Sequence, residues 1–162
     1  MQERPPVTLS SRLQTDLTTA IRDRDELRRD TLRMAIAAAY NESKRAKRDL
    51  SDDEMIAVLT REVKTRRESI EAFSAAGRTD AADKEAAEVE ILTTYLPQQL
   101  TADEVAALVK ETVDEVGASS ARDMGKVMAA LVPKTRGRAD GKAVGAAVAQ
   151  ELAARDLAAH EH

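Results

Sequence analysis

LPQQLTADE, residues Leu96–Glu104, contains a helix stop followed at once by a helix start. Pro97 cannot continue a helix, and it pushes Leu96 toward extended backbone angles. Thr101 then offers an N-cap hydroxyl, with Glu104 three residues on, where a capping box places its acid. Apolar residues recur at helical spacing on both sides of the break. Ala82, Ala86, Val89, Leu92 and Leu96 form an inner face before it, and Val105, Leu108, Val109 and Val113 form another after it. The spacing predicts an N-terminal helical domain over residues 1–97, a smaller domain over 98–157, and a tail at 158–162.

Composition points the same way. Of 162 residues 33% are charged, with one Phe, two Tyr and no Trp, a balance that suits helices rather than sheets. The fold class expected is all-α, a helical N-terminal domain followed by a small three-helix bundle. No apolar run reaches 18 residues, so no membrane span is expected. MQERPPVTLSS at the start lacks the apolar core of a secretory signal, and the chain has no cysteine. A cytoplasmic location is therefore expected. Lack of cysteine also excludes disulfides, thiolate metal sites and cysteine nucleophiles. The histidines, His160 and His162, both stand at the C-terminal end, so neither a metal nor a cofactor is expected.

Upstream of the break, residues 1–8 carry Pro5 and Pro6 and read as a disordered lead. A first helix starts near Thr8 or Ser10, with Leu13, Leu17 and Ile21 inside. A second runs from about Glu26 to Arg48, with Leu32, Ile36, Ala39 and Tyr40 toward the core. Its basic end (Lys44, Arg45, Lys47, Arg48) suits either a nucleic-acid patch or the negative end of a helix dipole. SDDE, Ser51–Glu54, has the form of a capping box opening a third helix. Its seam of Ile56, Leu59, Val63, Ile70 and Phe73 is interrupted by Arg66. An arginine there needs a partner or a route to water. Glu62 and Glu90 are the candidate partners, and an arginine held for phosphate is the rival reading. Gly77 closes this helix, and a fourth runs from Thr79 or Asp80 to Leu96. Glu85 and Glu88, one turn apart with no histidine near, read as a solvated face.

The chemistry-bearing stretch is GASSARDMGKVMAALVPKTRGRADGKAVG, Gly117–Gly145. Six cations (Arg122, Lys126, Lys134, Arg136, Arg138, Lys142) face two acids (Asp123, Asp140), a local balance of +4. The whole chain is −4, so the remainder is −4 − 4 = −8. Ser120 and Asp123 open a short helix with Met124, Val127, Met128 and Leu131 inside, and Pro133 stops it. Asp140 caps a last helix, about Gly141 to Leu157. Four cations near a helix N-terminus favour anions, and Gly137 and Gly141 allow a backbone to come close. Sharper motifs fail. GRADGK is one residue short of a P-loop, and Ala143 stands where magnesium needs a hydroxyl. The turn Val132–Ala139 is too long for a helix-turn-helix. No aromatic residue offers a stacking platform, and the glycines at 137, 141 and 145 indicate at most close helix packing.

Five stretches carry a family likeness: TLRMAIAA (Thr31–Ala38), RRESIEAF (Arg66–Phe73), AGR (Ala76–Arg78), ILTTYLPQQL (Ile91–Leu100) and GASSARDMGKVMAALVPKTRGRADGK (Gly117–Lys142). With them the chain resembles the GatB/YqeY family, similar to the tail of the B subunit of the tRNA-dependent amidotransferase. The resemblance implies an all-α protein in two parts whose tail domain helps to hold tRNA. By position it implies Lys126, Lys134, Arg136, Arg138 and Lys142 as nucleic-acid-facing residues. It also carries a family label of carbon–nitrogen ligase with glutamine as amide donor, for which these residues offer no nucleophile or base. The expected function is a non-catalytic tRNA- or RNA-binding accessory module. The alternative is a helical protein-interaction subunit that docks on a partner in translation without touching RNA.

Overall fold

The computed structural model describes residues 6–161, and within them the all-α expectation holds. The elements are α1 (Leu9–Arg22), α2 (Glu26–Ala46), α3 (Asp52–Ala75), α4 (Thr79–Thr93), α5 (Ala102–Val116), a 3-10 turn (Ala121–Asp123), α6 (Met124–Thr135) and α7 (Gly141–His160). The chain divides into two compact units, the division falling between Pro97 and Gln98. Of the lead expected over residues 1–8, residues 1–5 lie outside the described residues, and Thr8 is already the N-cap of α1.

Among the described residues, five of the seven α-helix starts carry their own side-chain acceptor; α4 and α6 begin without one. The Thr8 hydroxyl accepts from the Ser11 amide at 3.1 Å, and Asp25 accepts from Arg28 at 3.1 Å. Ser51–Glu54 and Thr101–Glu104 both form reciprocal capping boxes. Helix stops are less regular. Gly77 takes φ +73°, with the Arg78 amide bonded to the Phe73 carbonyl at 2.8 Å, which closes α3. α1 and α2 end instead on Arg24 and Lys47, both left-handed without being glycine.

The first unit packs Leu9, Leu13, Leu32, Ala35, Val58, Leu59, Val63 and Leu92 into one core. Three residues expected inside point outward. Ile21 is 47% exposed and Tyr40 is 59% exposed, and Ala86 is exposed. Helical geometry explains Ile21 and Tyr40: Ala20 and Ala39 take the inward positions, and the next residue lies about 100° further round. Tyr40 instead shelters under Lys44, whose ammonium sits 5.1 Å from the ring centroid. α4 stops at Thr93 rather than Leu96. The Thr93 and Thr94 hydroxyls bond back to the Glu90 and Ile91 carbonyls, and the chain turns to bury Tyr95.

Arg66 is buried, and neither reading of it from sequence was complete. Its Nε donates to Glu88 Oε2 at 2.9 Å, and its Nη1 donates to Glu62 Oε2 at 2.9 Å and to the Glu62 carbonyl. Nη2 meets the Met34 sulfur at 3.7 Å. Glu88, expected on a solvated face, is therefore a core residue, and Glu90 is exposed. Burial alone would lower the guanidinium pKa, but the two carboxylates outweigh it and raise it.

Tyr95 forms a second buried polar knot. Its hydroxyl donates to Asp16 and accepts from Arg28 Nη2 at 3.3 Å, while Arg12 lies 4.9 Å over the ring. Burial, and then the bond to the Asp16 carboxylate, push the phenol up to about 12.

Replacing Arg66 by Met leaves Glu88 buried without its cation and should cost about 3 kcal/mol. The double change Arg66→Met, Glu88→Leu should recover most of that loss in urea denaturation. For Tyr95, an unfolded phenol ionises near 10.0 and the folded one near about 12. The unfolded chain sheds its proton first, so stability falls as pH rises from about 10 to about 12. Urea midpoints of Tyr95→Phe should fall less steeply than wild type across that window.

Candidate nucleic-acid interface

The second unit is built on small side chains. Val105, Val109 and Val113 of α5, Val127 and Leu131 of α6, and Val144, Val148 and Leu152 of α7 form its core. Pro133 does not stop α6, as the sequence suggested; it sits inside the last turn. The turn still closes, because the Arg136 amide reaches the Val132 carbonyl at 3.0 Å and the Thr135 hydroxyl reaches the Leu131 carbonyl at 3.1 Å. α7 continues to His160, beyond the expected end at Leu157, because its alanine-rich end is strongly helix-forming.

Between α6 and α7 the connection is Arg136–Asp140, held by the segment that precedes α5. The Leu100 amide donates to the Arg138 carbonyl at 2.8 Å, and Gln99 Nε2 donates to the Gly137 carbonyl at 2.7 Å. In return Arg138 Nε donates to the Gln98 carbonyl at 3.1 Å. Gly137 takes φ +72°, which lets the loop double back without side-chain strain. Asp140 caps α7 by accepting from the Lys142 amide at 3.4 Å. Gly141 and Gly145 serve no close packing, since an added Cβ at either would meet nothing within 4 Å.

The five predicted cations separate into two groups. Lys126, Arg136 and Lys142 are exposed, and their side chains make no hydrogen bond or ion pair among the described residues. Lys134 is engaged by Glu115 at 2.9 Å, with Thr112 at 3.4 Å. Arg138 is half-exposed and spends its Nε on the Gln98 carbonyl. At the α6 start, the Asp123 carboxylate accepts from the Ser119 and Ser120 amides, which hold its pKa below the usual carboxylate range. Periodicity could not reveal Gln98, Gln99 or Glu115, because their contacts lie 19 to 40 residues away in sequence.

The run from Met124 to Ala139 contains four cations and no acid. Such a surface attracts anions and offers no pair of groups for acid–base work. Among the described residues no cluster of His, Cys, Asp or Glu is placed to hold a metal ion. No described helix is long and apolar enough to cross a membrane.

A family model described as Yqey-like protein matches residues 10–152. The chain belongs to the YqeY-like family. The match begins in α1 and ends at Leu152, a core residue of α7, so the YqeY-like region takes in all seven helices. The chain is also similar to "Altered inheritance of mitochondria protein 41, mitochondrial" of Pyrenophora tritici-repentis (strain Pt-1C-BFP). Identity is 31% over 137 residues, covering 83% of this chain and 75% of that protein.

The loop geometry makes its own prediction. Gly137→Ala forces a side chain into the left-handed region at a cost of about 1–2 kcal/mol. Hydrogen exchange of the Leu100 amide, which depends on the Arg138 carbonyl, should accelerate by roughly fivefold or more.

Proposed function

We propose that this YqeY-like chain is a non-catalytic RNA-binding module that holds tRNA or a tRNA-bearing complex on the basic segment of its second unit. The observation that carries the reading is the acid-free run Met124–Ala139, flanked by Lys142, with Lys126, Arg136 and Lys142 exposed and unpaired. Phosphates are bound by cations that are not already neutralised; Arg136 and Lys142 meet that condition, and Lys126 lies near the Asp123 carboxylate without a direct ion pair to it. Arg138 keeps its terminal nitrogens for a ligand beyond the Gln98 bond, and Lys134 sits at the rim. The −8 balance outside the Gly117–Gly145 stretch disfavours phosphate elsewhere, and at the basic end of α2 Arg45 and Arg48 are already paired with Glu42 and Glu54. The resemblance to the amidotransferase B-subunit tail supports tRNA as the RNA. A reducing compartment such as the cytoplasm suits the absence of cysteine.

A second reading, a protein-interaction accessory, is favoured by one observation. Lys134 and Arg138 are already engaged by Glu115 and Gln98, leaving fewer cations for RNA than the sequence lists. Titration of the full chain with total tRNA at several salt concentrations separates the two. RNA binding should give a log affinity that falls linearly with log salt. The triple change Lys126→Ala, Arg136→Ala, Lys142→Ala should lower that slope by about two to three, while Lys134→Ala changes it least. No binding even at low salt, with a protein partner co-purifying, would establish the second reading instead.

A further inference from the structure

We propose that α6 lies across the minor groove of duplex RNA, and that the carbonyl of Ala129 distinguishes this duplex from DNA by accepting from a ribose 2′-hydroxyl. The proposal rests on the RNA-binding reading above and names the form of RNA and the surface that takes it.

The outward side of α6 is formed by Gly125, Lys126, Ala129, Val132, Pro133 and Arg136, all exposed. Cations stand at both ends, ten residues apart, or about 15 Å at the helical rise. Between them the side chains are short, so a ligand backbone can reach the helix itself. Pro133 lies within this face and has no N–H. The Ala129 carbonyl, which would accept that N–H in any other sequence, therefore has no donor at i+4. The proline ring also crowds this carbonyl outward. A backbone carbonyl is an obligatory acceptor. Ala129 and Pro133 are exposed, so the free protein leaves this carbonyl to solvent; in a complex that excludes water, the ligand must supply the donor.

Duplex RNA does. Its minor groove is wide and shallow and is lined with 2′-hydroxyls, with a phosphate strand on either side. Lys126 and Arg136 are spaced to reach those two strands while Ala129, Val132 and Pro133 lie on the riboses. The minor groove of B-form DNA also has a phosphate strand on either side but has no 2′-hydroxyl to donate to the Ala129 carbonyl. Single strands would need stacking platforms, and this face has no aromatic residue.

The test uses the full chain with three probes: a 16-base-pair RNA duplex, the DNA duplex of the same sequence, and one RNA strand alone. Wild type should bind the RNA duplex about fivefold or more tightly than the DNA duplex, the size of one hydrogen bond or better. Pro133→Ala restores the missing N–H, stabilises the helix and leaves charge unchanged. It should erase most of the RNA-over-DNA preference while keeping the salt slope. Equal binding of both duplexes by wild type, preference for the single strand, or a preference that survives Pro133→Ala would overturn the proposal and leave the RNA-binding reading standing. Binding of none of the three probes would overturn both.

Discussion

Every helix end leaves backbone amides or carbonyls that must find a partner, and this chain is organised by how it meets that requirement. Its cores are Val, Ala and Leu with few aromatic rings, so packing alone fixes directions weakly. The helix ends supply what packing lacks. Thr8, Asp25, Ser51, Thr101 and Asp140 each accept from an amide of their own helix. The Leu9 amide at the start of α1 is satisfied by Asp52 in the first turn of α3, at 3.0 Å, so one cap also fixes how two helices meet. The candidate interface is another such solution. The approach to α5, the end of α6 and the start of α7 share three hydrogen bonds between residues 98–100 and 137–138. The basic loop is thus positioned by the same economy that closes the bundle.

Helix starts were therefore readable from sequence, since an N-cap acceptor and its amide lie within three residues of one another. The stops at Arg24 and Lys47 were harder, because neither residue advertises a left-handed backbone as glycine does. Proline was over-read. At Pro133 the missing donor falls on the exposed side of the last turn of α6, so its loss does not end the helix there. The inward residues Leu13, Leu32, Leu59, Val63, Val109 and Val148 follow the period. Ile21 and Tyr40 depart from it, since hydrophobicity marks a stripe only to within one helical position.

Arg66 shows why the remaining part was hidden. The period places an arginine in the seam of α3, and the cost of burying it demands a carboxylate. It does not say which one. Glu88 and Glu90 differ by two positions, roughly opposite sides of α4, so the choice depends on the rotation of α4 about its axis. That rotation is marked by Leu92, a core residue one turn on from Glu88. With Leu92 inside, Glu88 is inside too, and Arg66 is the cation that makes its burial tolerable. The two charges are thus each other's condition, visible only when both helices are in place.

The same dependence governs the interface. By sequence Lys134 is the first of four cations packed into nine residues, yet Glu115 on α5 already holds it. The positive surface is therefore displaced along α6 and its following loop, toward Lys126, Arg136 and Lys142. The displacement is not fixed. Lys134 and Glu115 are 36% and 51% exposed, and ion pairs that open to water contribute about 0–1 kcal/mol. A phosphate approaching the loop competes with Glu115 on nearly equal terms, and capture of Lys134 would release a carboxylate onto acidic α5. In the proposed RNA complex such a pair would open at little cost wherever neighbouring cations held the same polyanion.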